Sequence, residues 1–276
     1  MKSSVEGQVT ACLVVYNEER IIRRCLESIK RVTNTIIVVH DGLCSDNTVN
    51  ICSTLGCKVF IREHVGMCEG HRAWLYSQAK TPWILQIDAD EFLSDELIKD
   101  FSILINDSSV ACYELLWKYW DGKQHRTKNW PFKKALFQRS LVQYLGFPHE
   151  EVRPNGLIKK SYYAIEHRPI YDNYSFTTFR KKHMKWIKIH AHYYLRDKCE
   201  LEYFPEEIDH IKPHYEKIRS YPLLLAPLVF FYHFCGLMIN GGIREGKTGI
   251  RNSFMQSLYY FFLCLEVKKQ KMSWDV

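Results

Sequence analysis

This 276-residue chain lacks several patterns that mark common protein classes. No Gly-x-Gly-x-x-Gly follows its first apolar segment, which argues against a Rossmann dinucleotide site. None of its ten cysteines forms a Cys-x-x-Cys pair, so we expect no structural zinc site. Cys12, Cys25 and Cys52 fall inside apolar segments, which predicts reduced core cysteines and not a disulfide framework. Residues 1–8 are short and polar, so we expect no signal peptide and a cytoplasmic location.

Strand-like and helix-like patterns alternate along the first 90 residues. The apolar, β-branched runs lie at 9–15, 35–39, 58–61 and 83–87. Helical patterns follow the first three runs, with Asn17 and then Ser45 or Asp46 as expected N-caps. This order predicts an α/β fold in which helices cover both faces of a mostly parallel sheet.

The fourth apolar run ends in the sequence Asp88-Ala89-Asp90-Glu91. In an extended chain, Asp88 and Asp90 would point to the same side and repel each other. A divalent cation or a basic side chain between them would relieve that repulsion, and carboxylate oxygens suit Mg²⁺ or Mn²⁺. The alternative is a solvated acidic turn that caps the next helix.

Polar clusters follow three of the predicted strands. They lie at 16–19, 41–46 and 88–91. In open α/β sheets, ligands bind outside the carboxyl ends of the strands, so we expect these clusters to converge on one site.

These segments together resemble glycosyltransferase family 2. The resemblance rests on Ala-Cys-Leu-Val-Val-Tyr-Asn-Glu-Glu-Arg at 11–20, Val-Val-His-Asp-Gly-Leu-Cys-Ser-Asp-Asn-Thr at 38–48, Gly-His-Arg at 70–72 and Ile-Asp-Ala-Asp-Glu at 87–91. It is strong over about 8–105, weaker to about 170 and compositional afterwards. The branch it resembles is the small bacterial lipopolysaccharide-core β-glucosyltransferases. It implies a GT-A fold, a nucleotide-diphosphate sugar donor with UDP-sugar favoured, a divalent metal and an inverting mechanism.

The resemblance also implies roles for individual residues. Those expected to bind the nucleotide sugar are Tyr16, Asn17, Glu18, Asp41, Arg72, Asp88 and Ala89, and those expected to hold Mn²⁺ or Mg²⁺ are Asp88, Asp90 and His167. Structural alternatives remain open for some of them: Asn17 as a helix cap, Arg72 as a surface arginine and His167 as a packing residue. The sequence offers no such alternative for Asp41. His40 and Leu43 depart from the family pattern around it.

An inverting transfer needs a base that takes the proton of the acceptor hydroxyl, and a positive charge for the departing diphosphate. We expect Asp90 to provide this positive charge by binding the metal. The segment 146–152 resembles a His-Glu element of the family, which indicates Glu150 as the base and Glu151 as its rival. The alternative is that both are exposed acids on a loop.

Charge divides the chain unevenly. Residues 1–110 contain 11 Lys and Arg against 15 Asp and Glu, net −4, whereas the remaining residues carry a net +11. No charged residue lies between Arg219 and Arg244, and a second apolar block at 254–265 precedes Lys268 and Lys269. This pattern favours helices at a membrane interface near anionic head groups, with a true span, a packing helix or a dimer face as alternatives.

The sequence therefore predicts a GT-A catalytic domain at 1–218, with a nucleotide-sugar half at about 1–110 and an acceptor half at about 111–218, followed by an apolar and basic helical region at 219–276. We expect transfer to a glycan or lipid-linked acceptor on the cytoplasmic face of a membrane, in polysaccharide or lipopolysaccharide biosynthesis. Two alternatives are a nucleotidyltransferase that uses the same metal-diphosphate site and a non-catalytic nucleotide-sugar scaffold. No nucleic-acid-binding motif accompanies the basic residues.

Overall fold

The computed structural model describes residues 5–118, 131–144, 146–195 and 213–274. It contains two compact units, whose described residues are 5–118, 131–144 and 146–170 in the first and 171–195 and 213–274 in the second. The expected boundary after residue 218 falls within the second unit. Parts of the expected acceptor half, 119–130 and 196–212, lie outside the described residues.

The first unit is built around a mixed sheet. Its strands are β1 (Val9–Val15), β2 (Ile36–Asp41), β3 (Lys58–Arg62), β4 (Trp83–Gln86), β5 (Glu91–Leu93), β6 (Val110–Lys118), β7 (Phe132–Gln138), β8 (Val142–Gln143), β9 (Arg153–Pro154) and β10 (Leu157–His167), and its helices are α1 (Ile22–Ile29), α2 (Thr48–Thr54), α3 (Glu69–Gln78) and α4 (Asp95–Asn106). Within the described residues the main sheet has the order β3-β2-β1-β4-β7-β6-β10-β5, and β8 pairs separately with β9. Strands β3, β2, β1 and β4 are parallel, and β7 runs antiparallel between β4 and β6.

Burial on both faces explains why the central strands are apolar throughout. In β1, Ala11 and Leu13 belong to one buried cluster and Cys12 to another, because successive side chains point to opposite faces. Helix α1 buries Ile22, Cys25, Leu26 and Ile29, the stripe expected of a helix that packs on a sheet. Cys12, Cys25 and Cys52 are buried free thiols, as the sequence predicts. The predicted α/β fold, with its C-terminal apolar helices, is confirmed.

The predicted N-cap at Asn17 is wrong. Helix α1 begins at Ile22, and Asn17 adopts a left-handed backbone conformation with φ of 53°. The side chain of Asn17 instead accepts a hydrogen bond from the backbone N–H of Ser45. Asp46 does serve the second helix, since its Oδ1 accepts from the backbone N–H of Thr48 at 2.9 Å.

The second unit is helical where the structure describes it. Its elements are α5 (Phe176–Thr178), a π-helical turn (Phe179–His183), α6 (Met184–Leu195), α7 (Pro213–Ser220), α8 (Pro222–Ile239), a 3₁₀ turn (Gly242–Glu245) and α9 (Gly246–Trp274). Helix α9 packs against α6 and α8. Buried Ile187, Leu263 and Val267 belong to the core of this unit. Helix α8, alone among the described helices, is long and apolar enough to cross a membrane, with a mean hydropathy of 1.9.

The turn between α8 and α9 matches a known sequence pattern. Residues 241–248 read Gly-Gly-Ile-Arg-Glu-Gly-Lys-Thr, the Gly-x-x-x-x-Gly-Lys-Thr spacing of a phosphate-binding P-loop. A P-loop follows a β-strand, whereas this turn follows an apolar helix. The two glycines of the pattern, Gly241 and Gly246, have positive φ angles of 130° and 59°, a conformation that glycine adopts in turns without strain. The match therefore reflects a tight helix–helix turn.

Candidate active site

Five charged side chains of alternating sign meet beyond the carboxyl end of β4. We call Glu69, Arg72, Asp88, Lys133 and Glu91 the charge chain. The Nη1 atom of Arg72 lies 4.0 Å from Glu69 Oε1, and its Nη2 atom donates to Asp88 Oδ1 at 2.9 Å. Lys133 Nζ donates to Asp88 Oδ2 at 2.8 Å and to Glu91 Oε2 at 2.7 Å. Each cation thus lies between two carboxylates.

Strand register explains the position of Lys133. The antiparallel pairing of β4 with β7 joins Trp83 to Gln138 and Leu85 to Leu136. Continuing that register past the end of β4 sets Lys133 opposite Asp88. Arg72 reaches the same carboxylate from the buried face of α3.

The charge chain determines the ionisation of its carboxylates. Burial raises the pKa of Asp88, but attraction to Lys133 and then Arg72 outweighs it and holds that pKa well below its usual range. Burial raises the pKa of Glu91, whose side chain is 0% exposed, and Lys133 opposes this rise. Burial lowers the pKa of Lys133, but Asp88 and Glu91 raise it above its usual range. Asp88 is therefore an anion held between two cations.

We expect Lys133→Met to lower the free energy of unfolding by about 3 to 5 kcal/mol, the usual cost of leaving a buried charge without its partner. Urea unfolding at neutral pH measures this change. The matched control is Lys134→Met, because Lys134 pairs with the half-exposed Glu151 and such pairs contribute about 0 to 1 kcal/mol. Adding Glu91→Gln to Lys133→Met should restore part of the loss. Equal losses in the two single variants would contradict this account.

The acidic motif itself forms a turn. Strand β4 ends at Gln86, and the backbone N–H of Glu91 donates to the carbonyl of Asp88 at 3.0 Å. The extended geometry assumed for Asp88 and Asp90 is therefore wrong. Asp88 faces Arg72 and Lys133, whereas Asp90 faces His167.

Asp90 and His167 form a pair suited to a divalent ion. His167 Nε2 lies 3.2 Å from Asp90 Oδ2, and the backbone N–H of Arg168 donates to the carbonyl of Asp90 at 2.7 Å. The ring of Trp117 packs against the His167 ring at 4.7 Å. No group of three or more His, Cys, Asp or Glu side chains gathers at a metal-binding distance in the described part of the chain. Asp90 supplies the carboxylate that Mg²⁺ or Mn²⁺ prefers, the imidazole of His167 is a second group able to bind a metal, and such ions commonly take substrate phosphates and water as further ligands.

Asp41 has a structural role that the sequence does not reveal. Its Oδ1 accepts from the backbone N–H of Val65 at 2.7 Å and from His71 Nε2 at 2.8 Å. Its Oδ2 accepts from the backbone N–H of Gly66 at 3.0 Å and lies 3.1 Å from His64 Nδ1. Burial raises the pKa of Asp41, but the hydrogen bonds from His71 and Val65 outweigh it and lower that pKa. Asp41 thus fixes the segment that leads into α3 and hence to Arg72.

The loop after β1 is joined by hydrogen bonds to β2 and to the start of α2. The backbone N–H of Asn17 donates to His40 Nε2 at 3.2 Å, and that of Glu18 donates to Thr48 Oγ1 at 2.6 Å. Tyr16 is half exposed, and its ring lies 5.0 Å from the ring of His64. Asn17 and Glu18 therefore attach this loop to β2 and α2, while Tyr16 presents an aromatic surface beside His64.

The candidate base lies in a loop between the short strands β8 and β9. Glu150 is buried at 7% exposure, and Arg153 Nη2 lies 3.3 Å from its Oε2. The side chain of Glu151 is 48% exposed and pairs with Lys134 at 3.3 Å. The backbone N–H of His149 donates to Glu69 Oε1 at 3.0 Å, which attaches this loop to the charge chain. The exposed-acid alternative therefore describes Glu151 and not Glu150.

The structure thus brings together Arg72, Asp88, Asp90 and His167 at one end of the sheet, with Ala89 buried in the turn between the two aspartates. The surface alternative for Arg72 is wrong, because its guanidinium is buried against Asp88. Sequence reasoning missed Lys133, Glu69, His71 and His64. Lys133 was visible as a cation in an apolar strand pattern, but only the pairing of β7 with β4 places it at Asp88.

Three comparisons place the chain among known proteins. The family model described as Glycosyl transferase family 2 matches residues 10–165. An uncharacterized glycosyltransferase of Rickettsia typhi is 39% identical over 111 residues, which are 39% of this chain and 37% of that protein. Glycosyltransferase SunS of Bacillus phage SPbeta is 33% identical over 90 residues, 32% of this chain and 21% of that protein. The matched segments thus span well under half of these relatives.

Solved structures show weaker likeness. S. aureus TarS 1-349 in complex with UDP-GlcNAc has a TM-score of 0.47 and 13% identity, covering 91% of this chain and 90% of that chain. Glucosyl-3-phosphoglycerate synthase from Mycobacterium tuberculosis, in complex with Mn²⁺ and UDP-Glc, has a TM-score of 0.43 and 14% identity, covering 66% of this chain and 77% of that chain.

Proposed function

The chain belongs to glycosyl transferase family 2, and we propose that it is an inverting, divalent-metal-dependent enzyme that moves a sugar from a nucleotide-diphosphate sugar to a hydroxyl of a glycan or lipid-linked acceptor. The observation that carries this proposal is that the two aspartates of the acidic turn have different partners. Asp88 is held between two cations, whereas Asp90 faces an imidazole. The carboxylate of Asp88 is thus held by cations, while that of Asp90 lies beside a second group able to bind a metal.

In this proposal the donor is a UDP-sugar bound at the carboxyl ends of β1, β2 and β4. Tyr16 offers a half-exposed ring against which a nucleobase can stack. Asp41 and Asp88, fixed by their partners, contact the base and the ribose, and Arg72 holds Asp88 in position. Because these side chains are ordered before the donor arrives, little conformational entropy is lost on binding.

Asp90 and His167 would hold Mn²⁺ or Mg²⁺ in this site, with Asp88 beside them. When bound, the ion neutralises the charge that develops on the departing diphosphate. The backbone contact from Arg168 to Asp90 fixes the turn against β10, so the carboxylate keeps its direction. We infer that Asp90 serves catalysis through this ligand role.

Glu150 is the proposed base. An inverting transfer needs a carboxylate that accepts the acceptor's proton as the new bond forms. Glu150 is buried, and its loop is attached through His149 to Glu69 and hence to the charge chain beside the donor site. Glu151 remains the rival, although its exposure and its pairing with Lys134 favour a surface role.

The proposed location is the cytoplasmic face of a membrane, where the second unit would meet lipid and a lipid-linked or polysaccharide acceptor. The support is the apolar helix α8 together with the basic charge of the C-terminal part of the chain. The products test the proposed chemistry: a nucleoside diphosphate released from the nucleotide sugar identifies a transferase, whereas pyrophosphate released from a nucleoside triphosphate and a sugar phosphate identifies a nucleotidyltransferase.

A further inference from the structure

One face of α8 is apolar along its whole length. Its exposed positions recur at three- and four-residue intervals and carry Leu223, Leu224, Leu228, Phe231, Tyr232 and Ile239. We call these six residues the apolar stripe. At 1.5 Å per residue, an 18-residue helix is about 27 Å long. A helix at the surface of a water-soluble unit carries polar side chains on its outer face, so this stripe is suited to a different medium.

Basic side chains surround the end of the unit where α8 begins. We call Lys185, Lys188, Lys217, Arg219, Lys269 and Lys271 the basic collar. Arg219 lies three residues before Pro222, and Lys271 Nζ donates to the carbonyl of Arg219 at 3.4 Å. Gln270 donates to the carbonyl of Lys188 at 2.9 Å, which brings the end of α9 against α6. Helices α6, α7 and α9 therefore place their cations in one region.

Among the residues that the structure describes, the acids near this collar are fewer than its cations. Glu216 lies in the exposed first turn of α7, and Glu266 pairs with Lys269 at 4.0 Å. Six cations against these two acids leave a net positive region among the described residues. An apolar surface beside a positive region is complementary to a bilayer that contains anionic lipids.

We propose that the apolar stripe and the basic collar form a binding surface for anionic lipid, in which α8 lies in the membrane interface. A parallel position is favoured over a span because α8, at about 27 Å, is shorter than the roughly 30 Å hydrocarbon core of a bilayer, and because α9, packed against α8, exposes Gln256 in its third turn. An exposed polar side chain inside that hydrocarbon core is costly. The inference rests on the proposed membrane association and is independent of the proposed sugar chemistry.

The experiment is flotation of the full-length protein with vesicles of phosphatidylcholine alone or mixed with phosphatidylglycerol. We expect the protein to float with the mixed vesicles and less with the neutral ones. The variant Leu224→Ser/Leu228→Ser/Phe231→Ser should remain at the bottom with both. The variant Lys185→Gln/Lys188→Gln/Lys269→Gln should lose affinity for the mixed vesicles by about a hundredfold, since each cation near an anionic surface contributes about fivefold.

Matched controls come from the first unit. Ile103→Ser removes an exposed apolar side chain from α4, and Lys58→Gln/Lys80→Gln/Lys99→Gln removes three exposed cations. Both controls should float like the parent protein.

The inference is overturned if the parent protein binds neither vesicle, or if the stripe variant floats normally. A parent dimer that the stripe variant converts to monomers, without flotation, would show that the stripe is a protein interface. If a variant no longer floats but still turns over the donor, membrane binding by this surface is distinct from the proposed enzyme activity.

Discussion

Asp90→Ala is expected to lower sugar transfer by at least about 10²- to 10³-fold, the range seen when one group that stabilises developing charge is removed. The reason is that Asp90 supplies the carboxylate opposite His167, whereas Asp88 is already paired with Arg72 and Lys133. Mn²⁺ affinity, measured by calorimetry in the presence of nucleoside diphosphate, should fall together with the rate. The fold should persist, since the side chain of Asp90 is not part of the charge chain.

The control for this variant is Asp95→Asn. Asp95 is an acid in the next helix whose side chain is 81% exposed, so its removal changes the net charge without touching the site. We expect it to retain parental activity and metal affinity. Unchanged Mn²⁺ affinity in Asp90→Ala would contradict the assignment of Asp90 as a metal ligand.

Glu150→Gln is expected to lower the rate of transfer by roughly 10²- to 10⁴-fold, the usual contribution of a general base. Glutamine keeps the shape of the side chain and can still accept a hydrogen bond from Arg153. Donor and metal affinity should therefore stay close to the parental values. A single-turnover assay at matched donor occupancy separates the chemical step from binding.

Glu151→Gln is the matched variant for this second test. The two residues are neighbours in one loop, but Glu151 is half exposed and paired with Lys134. We expect a small effect from its replacement. Parental transfer by Glu150→Gln would exclude Glu150 as the base, and Glu151 would be the next candidate, because the fully buried Glu91 is held by Lys133.

The sequence predicts the strands and helices around the site well, because these elements depend on short-range patterns. Strand β1 was predicted at 9–15 and is found at Val9–Val15, since an apolar run bounded by polar residues is unambiguous at that length. Cys12 and Cys25 are buried as expected. The parallel order of the first four strands places 16–19, 41–46 and 88–91 at one end of the sheet, as the alternation of strands and helices indicated.

The contacts within the site could not be predicted, because they depend on long-range pairing. The partnership of Asp88 with Lys133 joins residues 45 positions apart through the antiparallel register of β4 and β7. The assumption of an extended chain at 88–90 failed because a turn replaces the strand after Gln86. The sequence offers no structural role for Asp41 because its donors, Val65, Gly66 and His71, come from the segment after β3, at least 24 positions along the chain.

Asn17 shows the same limit at a helix start. Its residue type favours an N-cap, yet its side chain bonds to the backbone of Ser45 in the neighbouring loop. The helix then begins five residues later, without a capping side chain. Local preference predicts that Asn17 caps the helix after it, but its hydrogen-bond partner, Ser45, lies in the loop after β2.

The measurement that tests the central claim most directly is the identity of the nucleotide released when the full-length protein is incubated with UDP-sugars, with and without Mn²⁺. The account predicts UDP, released in a metal-dependent reaction that Asp90→Ala removes, together with free sugar or a glycosylated acceptor whose anomeric configuration is inverted. Release of pyrophosphate from a nucleoside triphosphate and a sugar phosphate, or metal-dependent binding of UDP-sugars without any turnover, would contradict it.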